Sequence, residues 1–155
     1  MKKVYGGVFF LSFAALIAAT ACGSSGGNPG GSGPGTQTGS ACKTAATCYP
    51  TVADASTIKG AVTCLTQVTG GYCTHECTAD TDCCAVPGEC HTNVKEVCSP
   101  FENQTQQYCF LSCEDADVKA AGYTDANVYC QKLGNPTFTC RSTGGGANNR
   151  KICSP

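Results

Sequence analysis

Tyr72-Cys73-Thr74-His75-Glu76-Cys77-Thr78-Ala79-Asp80-Thr81-Asp82-Cys83-Cys84 sets four cysteines in thirteen residues, with no aliphatic side chain larger than alanine among them. A stretch of this kind cannot close over an apolar core, so its sulfurs must hold it. The same holds for the chain around it. From Cys42 to Pro155 there are 114 residues, of which Val, Ile, Leu and Phe supply 16, about 14%, and Met and Trp none. A chain below about 20% in strong apolar residues does not ordinarily bury enough surface to fold. The same stretch carries 14 cysteines, about 12%, well inside the range of disulfide scaffolds. Each bridge contributes about 2–4 kcal/mol by restricting the unfolded chain, and cysteine use on this scale belongs to an oxidising, extracytoplasmic compartment. Charge says little. With Lys2 and Lys3 set aside, 8 Lys and Arg stand against 11 Asp and Glu, a balance too mild to call for nucleic acid or an acidic substrate.

The total of 15 cysteines is odd, and the extra one is Cys22. Met1-Lys2-Lys3 precedes a largely apolar run over residues 4–19, then Ala19-Thr20-Ala21, then Cys22. That run is too short and too rich in Gly and Ala to span a bilayer comfortably, which takes about 20 apolar residues. The arrangement resembles a bacterial lipoprotein signal peptide, with a basic start, an apolar stretch, small residues and a cysteine to be lipidated. It departs from the usual pattern at Ala19, where Leu is commonest. Ala19-Thr20-Ala21 also suits ordinary signal peptidase, which would leave a soluble protein. By this resemblance Cys22 is the mature N-terminus and the lipid carrier, and removing it leaves 14 cysteines for seven bridges. Residues 23–41, with eight glycines in nineteen positions, read as a flexible tether spanning about 24 Å on average.

The folded part repeats imperfectly. Tyr72-Cys73-Thr74-His75-Glu76-Cys77 matches Tyr108-Cys109-Phe110-Leu111-Ser112-Cys113, and Val97-Cys98-Ser99-Pro100 matches Ile152-Cys153-Ser154-Pro155. On these landmarks Cys90 aligns with Cys140, and Cys83 or Cys84 with Cys130. An earlier, partial copy contains Cys42, Cys48 and Cys64. The chain therefore divides into a signal peptide (1–21), the lipidated cysteine and tether (22–41), a partial module (42–72), a first module (73–100) and a second module (101–155). The expected fold class is small and disulfide-rich: tandem cysteine-rich modules with short β-hairpins, one or two short helices and little hydrophobic core.

The order Cys73, Cys77, Cys83, Cys84, Cys90, Cys98, with an adjacent pair in the middle, resembles the knottins. Cys77-Thr78-Ala79-Asp80-Thr81-Asp82-Cys83 is similar to a segment of whey-acidic-protein and dickkopf-type modules. The knottin resemblance implies Cys73–Cys84, Cys77–Cys90 and Cys83–Cys98, although six cysteines permit 15 connectivities. The second copy has only five cysteines, so one bridge must depart from a knot in each repeat.

Local signals place a few elements. Residues 138–141 and 151–153 are expected to pair across the loop 144–149, whose Gly and Asn accept positive φ. Residues 89–91 and 96–98 are candidates for a second hairpin around Thr92-Asn93. Thr124 is a candidate cap for a helix over 125–133 ended by Gly134, preceded by a turn over 112–121 ended by Gly122.

Candidate reactive groups are few. His75 and His91, the only histidines, could join Glu76 and Glu89 around a metal, but oxidised cysteine neighbours do not ligate, and no metal or cofactor is expected. Asp80 and Asp82 could face Ca²⁺, yet an acidic turn between bridges accounts for them. No C-x-x-C, nucleophile elbow or phosphate loop occurs, so no catalytic residue is assigned and the chain is not expected to be an enzyme. Asn103-Gln104-Thr105 matches a glycosylation sequon, read as coincidence in a bacterial chain. In style the whole is similar to the cysteine-rich, glycine-tethered surface lipoproteins of deltaproteobacteria such as myxobacteria. The resemblance implies a lipid-anchored binding or structural module at the outer membrane or cell surface. Its partners would be the membrane, through its N-terminal lipid, and an unknown protein or glycan, but no nucleic acid. A knottin-like protease inhibitor or toxin-like module is the second reading, and a hydrolytic enzyme the third.

Overall fold

The computed structural model describes residues 37–91, 93–101, 104–143 and 149–155. Cys22, the expected signal peptide and most of the expected tether lie outside them, as do Asn103 of the sequon and residues 144–148. Three two-stranded antiparallel hairpins carry the fold: β1 (Val62–Cys64) with β2 (Cys73–His75), β3 (Glu96–Pro100) with β4 (Gln107–Leu111), and β5 (Thr139–Ser142) with β6 (Lys151–Ser154). In each, a cysteine stands directly opposite a cysteine: Cys64 faces Cys73, Cys98 faces Cys109 and Cys140 faces Cys153.

The facing cysteines do not bond each other. Each reaches back to one of two cysteines just upstream of its hairpin, giving Cys42–Cys64 with Cys48–Cys73, Cys77–Cys98 with Cys83–Cys109, and Cys113–Cys140 with Cys130–Cys153. Within each quartet the first cysteine bonds the third and the second bonds the fourth. The seventh bridge, Cys84–Cys90, belongs to no quartet. All 14 cysteines of the folded part are therefore paired, and the protein is a small disulfide-rich fold of tandem modules.

The quartets join in one way. Four positions separate Cys73 from Cys77 and Cys109 from Cys113, and the residue before each new first cysteine bridges the second strand of the next hairpin, Glu76 to Tyr108 and Ser112 to Ile152. The amides of Cys77 and Cys113 continue this by donating to the Gln107 and Lys151 carbonyls. Residues 39–42 do the same for β2, with the Gly39 amide on the Cys73 carbonyl and the Cys73 amide on the Ser40 carbonyl. The end of the expected tether is thus folded, and Thr38 is fully buried. A backbone this close to its neighbour leaves no room for a Cβ. At Gly71 (φ +74°) one would lie 2.0 Å from the Cys42 carbonyl oxygen, so the position requires glycine.

The scarce apolar residues are spent on one shared centre. Tyr72 stacks on Phe110 and Phe138, each with ring centroids 5.3 Å apart, and Phe101 stacks on Phe110 at 5.9 Å. Tyr72, Phe110 and Phe138 come from three different quartets, so the column ties them together. Each fully buried aromatic contributes about 1.5–3 kcal/mol. A smaller cluster, with Tyr49, Val52 and Ile58, fills the first quartet.

Two helices occupy the long connector of the third quartet, α1 (Asp115–Ala120) and α2 (Ala126–Leu133). They lie where the sequence places them, and Gly122 and Gly134 follow their ends. The cap of α2 is Asp125 rather than Thr124, its carboxylate accepting from the Asn127 and Val128 amides. The hairpin of β5 and β6 is also as expected.

Other expectations are corrected. The knottin pairing does not form, since Cys73, Cys77, Cys83 and Cys84 bond Cys48, Cys98, Cys109 and Cys90. The adjacent pair that suggests a knot is one quartet cysteine beside one of the odd bridge. Residues 89–91 do not pair with 96–98, because β3 takes β4 as its partner. The Cys48–Cys73 and Cys83–Cys109 bridges cross the divisions drawn at 72/73 and 100/101. Y-C-x-x-x-C marks the joint between two quartets, not the start of a module. Cys98, a third cysteine, corresponds to Cys140 rather than to Cys153. Tyr72 is fully buried in the aromatic column, whereas Tyr108 is half-buried beside it, so the two tyrosines are not equivalent.

Candidate functional site

His75, on β2, is fully buried, and both ring nitrogens meet acceptors. Nδ1 lies 2.6 Å from the Lys59 carbonyl and 3.0 Å from that of Glu76, while Nε2 lies 2.7 Å from Glu89 Oε1. A neutral imidazole carries one N–H and could serve only one side, so the ring is held doubly protonated. Burial alone pushes its pKa down, but the carboxylate and the two carbonyls outweigh this and raise it. Glu89 is its counterpart. Burial favours its neutral form, yet hydrogen bonds from His75 and from the Val86 and Cys84 amides leave its pKa lowered. The result is an ion pair with both side chains sealed from water.

A second carboxyl stands close by. Glu96, at the start of β3, is 3% exposed, and neither of its oxygens has a hydrogen-bond partner among the described residues. The Thr38 hydroxyl beside it shares a hydrogen bond with Tyr49 Oη at 2.7 Å and, by its nearness, partly opposes the rise in the Glu96 pKa. Burial pushes the Glu96 pKa up to about 8, so this carboxyl is mostly protonated at neutral pH. One of its oxygens and the sulfurs of Cys84 and Cys90 all lie within 4.8 Å of one another.

The sequence candidates disperse. Of His75, His91, Glu76 and Glu89, only His75 and Glu89 meet through their side chains. The sulfurs nearest His75, those of Cys83 and Cys109, are bonded to each other, which removes the thiolates a metal would need. Asp80 and Asp82 turn toward protein donors. Asp80 accepts from the Cys98 amide at 3.0 Å and from the Arg150 guanidinium. Asp82 accepts from the Thr78 amide and hydroxyl and from the Ala79 amide. These contacts lower both pKa values, that of Asp80 against its partial desolvation.

Glu96 and its tyrosine surroundings were not singled out by the sequence. One signal was available: alternation along 94–98 sets Glu96 on the face of Val94 and Cys98, pointing it inward. Among the described residues no helix is long and apolar enough to cross a membrane. Comparison with known protein families, with curated proteins and with solved structures found no match.

Proposed function

We propose that the chain is an extracytoplasmic, lipid-anchored surface module whose role is binding or structural. One observation carries this reading: the 14 cysteines from Cys42 onward satisfy one another in seven bridges. Cys22 is left as the one cysteine with no place in the scaffold, in the position where a lipoprotein is acylated. A scaffold this dependent on oxidation belongs outside the cytoplasm. His75 and Glu89 form an ion pair sealed from solvent, which favours a structural or binding role over hydrolysis. The inhibitor reading would dock an exposed loop such as residues 85–89, inside the Cys84–Cys90 bridge, in a protease. That loop is folded into a turn, with the Glu89 amide on the Val86 carbonyl at 3.2 Å, whereas a protease cleft takes an extended strand.

Expression of the full chain in a Gram-negative host, with alkyne–fatty acid labelling and membrane fractionation, tests the anchor. The wild type is expected in membranes with label on Cys22, and Cys22→Ala unlabelled or mislocalised. Wild-type protein that is soluble, with a free Cys22 thiol, would refute the reading.

A further inference from the structure

Six of the seven bridges interlock within quartets, and each of the six has at least one buried cysteine. Cys84–Cys90 differs on both counts. It closes a short loop with a sequence separation of 6, Cys84 is exposed and Cys90 half-buried. Cys84 also sits at φ +63°, a left-handed conformation costly for a residue with a Cβ.

The loop has anchors other than its bridge. Glu89 holds it to His75 and to the Cys84 and Val86 amides. Gln37 Nε2 donates to the Gly88 and Cys90 carbonyls at 3.0 and 3.1 Å. Opening the bridge would therefore leave the two sulfurs near each other, poised to close again. Behind them lies Glu96, buried and with no hydrogen bond of ordinary geometry among the described residues. The groups facing it are the Glu89–His75 pair, Thr38, Tyr49, Tyr72 and Tyr129. None of these supplies a free cation that would force it to ionise.

We propose that Cys84–Cys90 is a thiol–disulfide exchange site that accepts electrons from an external dithiol, with Glu96 as the proton donor to the departing Cys90 sulfur. A thiolate of the dithiol attacks Cys84 Sγ, the sulfur of the more exposed residue. The Cys84–Cys90 bond breaks, Cys90 leaves with the electron pair, and the Glu96 carboxyl protonates it. The second thiol of the donor, as its thiolate, then attacks the mixed disulfide and releases the Cys84 thiolate, which takes a proton from water. Two electrons and two protons pass to the chain, the dithiol becomes a disulfide, and Glu96 regains its proton from solvent. The pKa of Glu96, about 8, suits this role, since the carboxyl keeps its proton through neutral pH and gives it to a more basic thiolate.

The test uses the full oxidised chain, titrated with dithiothreitol or with reduced glutathione, then alkylated and peptide-mapped. Cys84 and Cys90 should label at dithiol concentrations about tenfold or more below those that open any quartet bridge. Glutathione, which has one thiol, should be trapped on Cys84. At fixed reagent thiolate, Glu96→Gln should slow opening about tenfold or more and abolish the fall in rate near pH 8. The variant Cys84→Ser with Cys90→Ser should keep the six quartet bridges and the native near-UV spectrum. The site is overturned if a quartet bridge opens first, if all seven open together or if the double variant fails to fold. Glutathione trapped only on Cys90 overturns the assigned direction of attack. An unchanged pH profile in Glu96→Gln removes Glu96 from the chemistry.

Discussion

The second and third quartets reach the same closure with different material. Between Cys77 and Cys83 run five residues containing a single 3-10 turn, Asp80–Asp82. Between Cys113 and Cys130 run sixteen, forming α1 and the first half of α2. The bridges nonetheless follow one pattern, and one polar contact recurs. Three residues before the second cysteine, Asp80 accepts from the Cys98 amide at 3.0 Å, and Asn127 accepts from the Cys140 amide at 2.9 Å. Each plugs the outer edge of its hairpin at the third cysteine. The constant parts are the hairpin, the two crossed bridges and this plug, while the connector can grow. The segments that follow differ as well: Glu89, between Cys83 and Cys98, forms the buried ion pair with His75, whereas Phe138, between Cys130 and Cys140, joins the shared aromatic column.

The largest difference should come from breaking the buried ion pair. Glu89→Ala leaves the His75 imidazolium buried and uncompensated and should cost about 3–5 kcal/mol, read by denaturant unfolding. The pH dependence follows from the shifts. The contribution of His75, whose folded pKa is raised, is complete below its ordinary 6.5 and lost as pH rises through the folded value. That of Glu89, whose folded pKa is lowered, is present above its ordinary 4.5 and lost as pH falls through the folded value. The contribution of Glu96 is complete below 4.5 and declines until pH reaches about 8. Stability should therefore fall toward alkaline pH, and Glu96→Gln should flatten that slope.

Replacing a matched bridge by paired serines probes what the quartets share. Cys83 with Cys109 closes a separation of 26 and Cys130 with Cys153 one of 23, so each loss should be about 2–4 kcal/mol and the two nearly equal. A large inequality would show that the connectors, not the crossed bridges, set the stability.

Removing a plug should matter less. Asp80→Ala should cost about 1–2 kcal/mol and Asn127→Ala about half that, since the Asn127 contact is open to water. Hydrogen exchange at the Cys98 and Cys140 amides should rise in the corresponding variants. The smallest effect is a gain. The first quartet has Ala45 three residues before Cys48, and Ala45→Asn should slow exchange at the Cys64 amide and stabilise by no more than about 1 kcal/mol.

Where local chemistry decides, the sequence was legible. The glycine-rich loop marks the hairpin of β5 and β6, and Gly122 and Gly134 mark the ends of the helices. The abundance of cysteine and the poverty of apolar residues define the fold class. The repeat frame was not legible, because spacing carries no record of which sulfur bonds which. Cys73 and Cys77 read as the opening of one unit, although the bridges divide the chain between them. The pairing of β3 with β4 was missed because the weaker local candidate, 89–98, was nearer in sequence. The meeting of His75 with Glu89 depends on the docking of loop 84–90, which no local pattern encodes.

The crossed bridges also fix how the molecule carries load. A pull entering at residue 37 meets the strand-like contact of residues 39–42 with β2, then passes at Cys42 into covalent cross-links. From there a continuous covalent path runs to Cys153 by way of the bridges Cys48–Cys73, Cys83–Cys109 and Cys130–Cys153, leaving the chain inside each hairpin unloaded. Tension cannot unzip the hairpins strand by strand, because the sulfurs bypass them. Under force the oxidised protein should yield only in the segments between these bridges, residues 42–48, 73–83 and 109–130, and the hairpins should lengthen only after reduction.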